Sequence, residues 1–573
     1  MKKKLLCILM LAILAVLPAS VLAAGISNVF IGGANTENAP GKQVPIDAIS
    51  ILKTKDGYRL FLPTYVDASS RRVFLTGGIK SVKINGETVQ DGDLTNAFVP
   101  GSQVTLTVGT KKYTVSVLQS KNVASVYLNT KSGNLNRLSQ SKKNQEDATL
   151  MVIDENGKPT FHFKDEVDSV RLRGNYSFQV VKKSFQIKLK NKVGLLGMNK
   201  SKTWLLLANY NDNSLIRDAI AFDLADGARM PYTIDYRFCD LYLNNEYYGT
   251  FMLTEKVQVG KNRVNIEELE EATAAVNKKS LDSYPLAGTN AYKPGTYKYY
   301  NIKNDPADIT GGYLIQLEMN NRYKGSEAGF VTNAGQAVLI KEPDHPSKEQ
   351  VLYIRSLVQA FENAIEAPDG IDPETGKHYT ELADLDSMVN KYLVDEVTKN
   401  LDANKTSFYL YKDIDAADTR LHFGPVWDYD NCLGVFSSDK YKGITNVPEG
   451  LLAGVKPNVE GKREEYYWFP KLYAHEDFVN AVKEAYKKVF RPQVLVLLGE
   501  LPASKSTGRT RSLEDWETLL TCTANMNFAR RPTLNIVNRD FPVNTGATYP
   551  ETIVYIRNFL RTRLEYLDSR WLD

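Results

Sequence analysis

Two textures divide this chain, and one packing scheme cannot serve both. From Gly25 to about Gln119, short alternating segments are separated by turn residues: Tyr58 to Leu62, Arg72 to Leu75, Lys80 to Ile84 followed by Asn85-Gly86, Gln103 to Val108, and Lys112 to Val117. Asn-Gly between alternating runs specifies a hairpin, because both turn residues must accept positive φ. Strands at this spacing, with no helical period between them, predict a small all-β, sandwich-like domain over residues 25–120. It holds no cluster of acids or histidines, so its expected role is spacing or attachment.

From Ser347 the period changes. Ser347-Lys348-Glu349-Gln350 reads as a capping box after Pro346, and Val351, Ile354, Val358, Phe361 and Ile365 form a core stripe at helical spacing. Further helices are expected at Leu385 to Leu401, with Val389, Leu393 and Val397 inward, at Asp477 to Leu498 and at Glu551 to Leu567. Between the two textures lie strands at Val167 to Arg173 and Phe185 to Lys190, a helix from Leu215 to Asp226, a hairpin through Asn244-Asn245, and a strand from Gly312 to Leu317 ending at Glu318. In the second strand Phe185, Ile187 and Leu189 share one face, and Gln186, Lys188 and Lys190 the other. Residues 270–310 are polar and aperiodic and read as a long surface insertion. The fold class expected is α+β.

The chain opens with Lys2, Lys3 and Lys4, an apolar run from Leu5 to Val16 and small residues up to Ala24, the pattern of a signal peptide over residues 1–24. Its removal takes the net charge from +4 to +1. So balanced a chain has no global attraction for nucleic acid or an anionic membrane. No later stretch approaches the length of a membrane-spanning helix. The expectation is an exported protein, secreted or associated with the cell surface. Three cysteines remain, Cys239, Cys432 and Cys522, too few for a disulfide scaffold. The scattered histidines form no zinc-binding pattern.

Chemistry concentrates in Gly424-Pro425-Val426-Trp427-Asp428-Tyr429-Asp430, just past the strand Leu421-His422-Phe423, with Asp402 upstream in a helix-to-strand loop. Carboxylates amid bulky apolar neighbours need a cation or hydrogen bonds to offset desolvation. Magnesium takes one or two carboxylates plus substrate phosphates, so this arrangement fits phosphoryl transfer, and a solvated surface turn is the alternative. Gly370 to Lys377 is not a phosphate loop: it has one residue too many, and His378 where Ser or Thr belongs.

Arg173-Gly174-Asn175, Phe185-Gln186-Ile187-Lys188, Leu195-Leu196-Gly197-Met198, Trp204 to Asn209, Tyr248-Gly249, Ser407-Phe408-Tyr409 and Gly424 to Asp430 occur in one order and spacing. From about Val123 onward the chain thereby resembles the spore coat protein H (CotH) kinase family. The resemblance implies an atypical protein-kinase-like, two-lobed domain over 121–573, with a β-rich N-lobe to about 340, a helical C-lobe from about 341, and ATP with Mg between them. It implies that Lys188 contacts the α- and β-phosphates, that Gly174 and Asn175 stand for a reduced Gly-rich loop, and that Glu255 to Val257 lie near the adenine hinge. Asp402 becomes the catalytic base, Asp428 a metal ligand and Asp430 a second metal contact, with Ser407 where many kinases carry a metal-binding Asn. The acceptor implied is Ser or Thr of a surface or coat protein. A catalytically silent kinase-like module at the cell surface or spore coat remains the alternative.

Overall fold

A computed structural model describes residues 25–33, 36, 44–65, 70–163, 167–289, 291–319, 322–323, 327–435, 444–455 and 468–572. The expected signal peptide, residues 1–24, lies outside them. The chain divides into two compact units, residues 1–62, 66–119 and 245–247 in one, and 63–65, 120–244 and 248–573 in the other.

The first unit is built from two sheets. One orders Ile49–Ser50, Val29–Gly33, Arg71–Leu75 and Leu94–Thr95; the other orders Leu52–Thr54, Gly57–Leu62, Lys111–Gln119, Gln103–Val108, Ser81–Ile84 and Glu87–Gln90. Asn85 and Gly86 both take positive φ, 53° and 96°, at the hairpin where the sequence asks for it. Alternation buries Val104, Leu106, Val115 and Val117 while their neighbours face outward, which makes this a β domain.

In the second unit, helices and sheets mix. A nine-stranded sheet includes, side by side, the antiparallel strands Val167–Arg173, Ser184–Val193 and Ser201–Leu207. Phe185, Ile187 and Leu189 are fully buried, as their alternation requires. A seven-stranded sheet includes Tyr313–Glu318, Phe408–Lys412 and His422–Phe423. The polar stretch at 270–310 is not the plain surface insertion its aperiodic sequence predicts. It contains helix Leu269–Ala275 and strands Leu286–Gly288 and Tyr297–Tyr300, both of which join this sheet. Its polar groups are satisfied at long range, for instance by Gln350 Nε2, which donates to Thr273 Oγ1 at 2.8 Å and Asp305 Oδ1 at 2.9 Å, so no local period betrays it.

Helix Lys348–Glu366 begins at the expected capping box: Ser347 Oγ accepts from Gln350 N, and Gln350 Oε1 accepts from Ser347 N, each at 3.2 Å. Its stripe Val351, Ile354, Val358, Phe361 and Ile365 is at most 2% exposed. Ser347→Ala should destabilise this unit by about 1 kcal/mol, read as an earlier denaturant midpoint at unchanged slope. Helix Leu385–Thr398 buries Val389, Leu393 and Val397 as expected and closes on Lys399 at φ 52°. Helix Arg217–Gly227 is buried on every side, including Arg217, Asp218 and Asp223. No helix among the described residues is long and apolar enough to cross a membrane.

Candidate active site

Two stretches of backbone bring the acids together. Asp402 follows helix Leu385–Thr398, where its N–H donates to Asn400 Oδ1 at 3.2 Å and its carbonyl accepts from Lys405 N at 3.0 Å. Asp428 and Asp430 follow strand His422–Phe423, beyond a Gly424 at φ +133° whose added Cβ would lie 2.8 Å from Met230 Cε. That φ requires glycine, while the methionine end could shift to admit a Cβ. Asp428 itself sits at φ 70°, and Ser407, at φ 54°, donates its hydroxyl to Asp428 Oδ2 at 2.9 Å. Asp tolerates the left-handed region better than most residues, since its short side chain can bond locally.

A buried network ties both stretches to the same helix. Asp395 Oδ1 accepts from Tyr429 Oη at 2.6 Å and from Asn400 Nδ2 at 3.1 Å, while Lys391 Nζ reaches Asp395 at 2.5 Å and Tyr429 Oη at 3.0 Å. The buried helix Arg217–Gly227 holds the following residues: Asp218 Oδ1 accepts from Tyr429 N at 2.7 Å, and Arg217 Nε donates to Cys432 O at 2.9 Å.

Asp402, Asp428 and Asp430 line one cavity of about 260 Å³ together with Gly174, Asn175 and Arg173. A neighbouring cavity of about 600 Å³ shares Arg173, Gly174, Tyr409 and Trp427 with it and is lined further by Gln186, Lys256 and Val257. Burial, and next the charge of Asp428, push Asp402 and Asp218 each up to about 7 and hold Asp430 well above the ordinary carboxylate range. This much crowded negative charge calls for a cation. The donors are those of a hard one. Besides the carboxylates, the buried side-chain oxygens of Asn209 and Asn211, both in the lining, have no hydrogen-bond partner among the described residues. Among the described residues no three or more His, Cys, Asp or Glu gather to hold a metal by themselves, so an ion here needs phosphate oxygens or water to complete its shell.

Two of the expected residues stand apart. Lys188 is half exposed, pairs with Asp168 at 3.4 Å and is not among the residues lining either cavity. The glutamate Glu255 turns away from the cleft into a buried ion pair with Arg263 at 2.6 Å and accepts from Tyr232 Oη at 2.8 Å, leaving Val257 to face the cavity. Asp218 and Arg173 were not expected as members of the site. The available signal was Arg217-Asp218 at the start of a helix rich in Ala, Ile, Phe and Leu, since buried charges persist only where partners await them.

A family model described as CotH kinase protein matches residues 170–567, more than half of the chain. The chain belongs to the CotH kinase family. No curated protein matches it. The match begins inside strand Val167–Arg173 and ends inside helix Tyr549–Trp571, so it takes in every residue lining the smaller cavity. Kinases as a class use ATP and a divalent metal ion, and the oxygen donors of this CotH kinase family member are compatible with such an ion.

Proposed function

We propose that this protein is an exported atypical kinase that transfers the ATP γ-phosphoryl group, with Mg, to Ser or Thr of a surface or coat protein. The observation that carries the reading is the convergence of Asp402, Asp428 and Asp430 on one cavity, beside a second cavity lined by Val257. In this reading the domain is two-lobed and kinase-like, and residues 25–120 form a separate module. Asp428 and Asp430 hold the magnesium ion, with the side-chain oxygen of Asn209 within the same lining. Bound there with ATP, magnesium would neutralise charge on the phosphate oxygens. Gly174 and Asn175 offer backbone and amide groups to the phosphates, and the chain at Val257 borders the adenine. Asp402 accepts the acceptor hydroxyl proton as the new O–P bond forms and the bond to the ADP oxygen breaks, releasing ADP. A carboxyl held near neutral in its proton affinity is suited to that exchange.

The test is nucleotide-linked stability. ATP with magnesium at a hundredfold excess over Kd should stabilise the wild type by about 2.7 kcal/mol. Asp428→Ala should remove most of the magnesium-dependent part, and an undiminished shift in that variant would take Asp428 out of the site. A silent binding or structural module at the cell surface or spore coat is the second reading, favoured by the position of Lys188 outside both cavities. It requires wild-type protein that transfers phosphate to no acceptor.

A further inference from the structure

If Lys188 is outside the cleft, another cation has to meet the nucleotide phosphates. Strand register shows why Lys188 is misplaced. Arg173 pairs with Ser184, which lines the smaller cavity, and Lys188 lies four residues farther along the same face of that strand. Four residues of strand span about 13 Å, more than a side chain can recover while also meeting Asp168. Arg173, by contrast, lines both cavities, at the point where they meet. Its guanidinium lies 5.5 Å from the centre of the Trp427 ring, one residue from Asp428. Among the described residues the guanidinium makes no hydrogen bond and no ion pair, so its donors remain free. A contact with the ring face uses none of the N–H groups of the guanidinium, which leaves them to bidentate recognition of phosphate. Beside it, Lys142 Nζ donates to Asn175 Oδ1 at 2.5 Å, which places a second cation against the same short loop.

We infer that Arg173, supported by Lys142 on the Gly174–Asn175 loop, takes the phosphate oxygens of the nucleotide in place of Lys188. The inference rests on the nucleotide reading given above and deepens it. Arg173 serves as a clamp rather than a point charge: its fork holds two oxygens while the carboxylate of Asp428 on the next wall holds the ion. Cation and acid thus grip the phosphate chain from adjacent sides, and neither is drawn into an ion pair that would block the other.

The experiment compares ATP and adenosine, each with magnesium, by calorimetric titration and thermal melting of the full chain. In Arg173→Met, ATP should bind about 10- to 100-fold more weakly, the cost of a charge-assisted contact, with adenosine affinity unchanged. Lys188→Met should bind both ligands as the wild type does. If Arg173→Met loses its cooperative melt without ligand, Arg173→Lys decides. It keeps the charge but not the fork, so ATP affinity should fall several-fold, and undiminished affinity overturns the assignment. A wild-type response to ATP that survives Arg173→Met but fails in Lys188→Met overturns this inference and leaves the nucleotide reading standing. No response of the wild type to either ligand at millimolar concentration overturns both.

Discussion

Asp402→Asn will bind ATP with magnesium as the wild type does, yet transfer phosphate about 10²- to 10⁴-fold more slowly. The expectation rests on how the residue is held. Its main chain is fixed through Asn400 and Lys405, while its carboxylate makes no hydrogen bond among the described residues. The fold therefore uses the backbone of Asp402 and leaves the side chain to the cavity. Asn keeps the size and polarity but cannot accept a proton, so the loss should fall on the chemical step and amount to about 3–5 kcal/mol of barrier. Single-turnover transfer to a generic Ser/Thr acceptor, measured beside the ATP-linked melting shift, checks both halves. A large fall in the unliganded melting temperature would instead make Asp402 a structural acid at a helix end.

Arg563→Met should produce the largest loss of stability, about 3–5 kcal/mol. Arg563 is completely buried and donates to Glu396 Oε1 at 2.6 Å, to Glu396 O at 2.7 Å, and to the carbonyls of Pro448 at 2.8 Å and Gly450 at 2.6 Å. Glu396 also accepts from Leu452 N at 2.6 Å and Gly454 N at 3.0 Å. The variant leaves a buried carboxylate without its cation and several carbonyls without donors. Glu396→Gln added to Arg563→Met should recover part of the loss, because a neutral amide is cheaper to bury. Denaturant unfolding of the two variants measures both effects, and a single-variant loss below 1 kcal/mol would show that the ion pair is dispensable.

Local signals carried the sequence reading far where the causes are local. The capping box at Ser347, the stripe from Val351 to Ile365, the Asn85-Gly86 hairpin and the alternation of Phe185, Ile187 and Leu189 each lie within one turn, one helix or one strand, and each has its structural counterpart. The ordered elements within 270–310 were not legible, because their polar groups find partners on helix Lys348–Glu366 and elsewhere, far along the chain. The acids Asp402, Asp428 and Asp430 could be picked out because they stand in loops after regular elements, and the fold brings them to one cavity. Lys188 shows the limit. Alternation tells that a lysine shares the polar face of its strand, but only the register with Val167–Arg173 tells how far along that face the cleft extends. Asp218 and Arg217 were hidden for another reason: a charged pair in sequence reads as a solvent face until partners more than 200 residues away are in place.

Because Asp395 holds both Asn400 and Tyr429, a tilt of helix Leu385–Thr398 carries Asp402, the proposed proton acceptor, together with Asp428 and Asp430, the acids proposed to hold the ion. The two parts of the site therefore share one mechanical coordinate, so misalignment of one cannot be corrected by adjusting the other. Lys391, which completes that network, is not among the residues lining the cavity, yet its replacement should detune ion placement and proton removal at once. A mutational screen restricted to cavity walls would overlook the position on which the alignment of the whole centre depends.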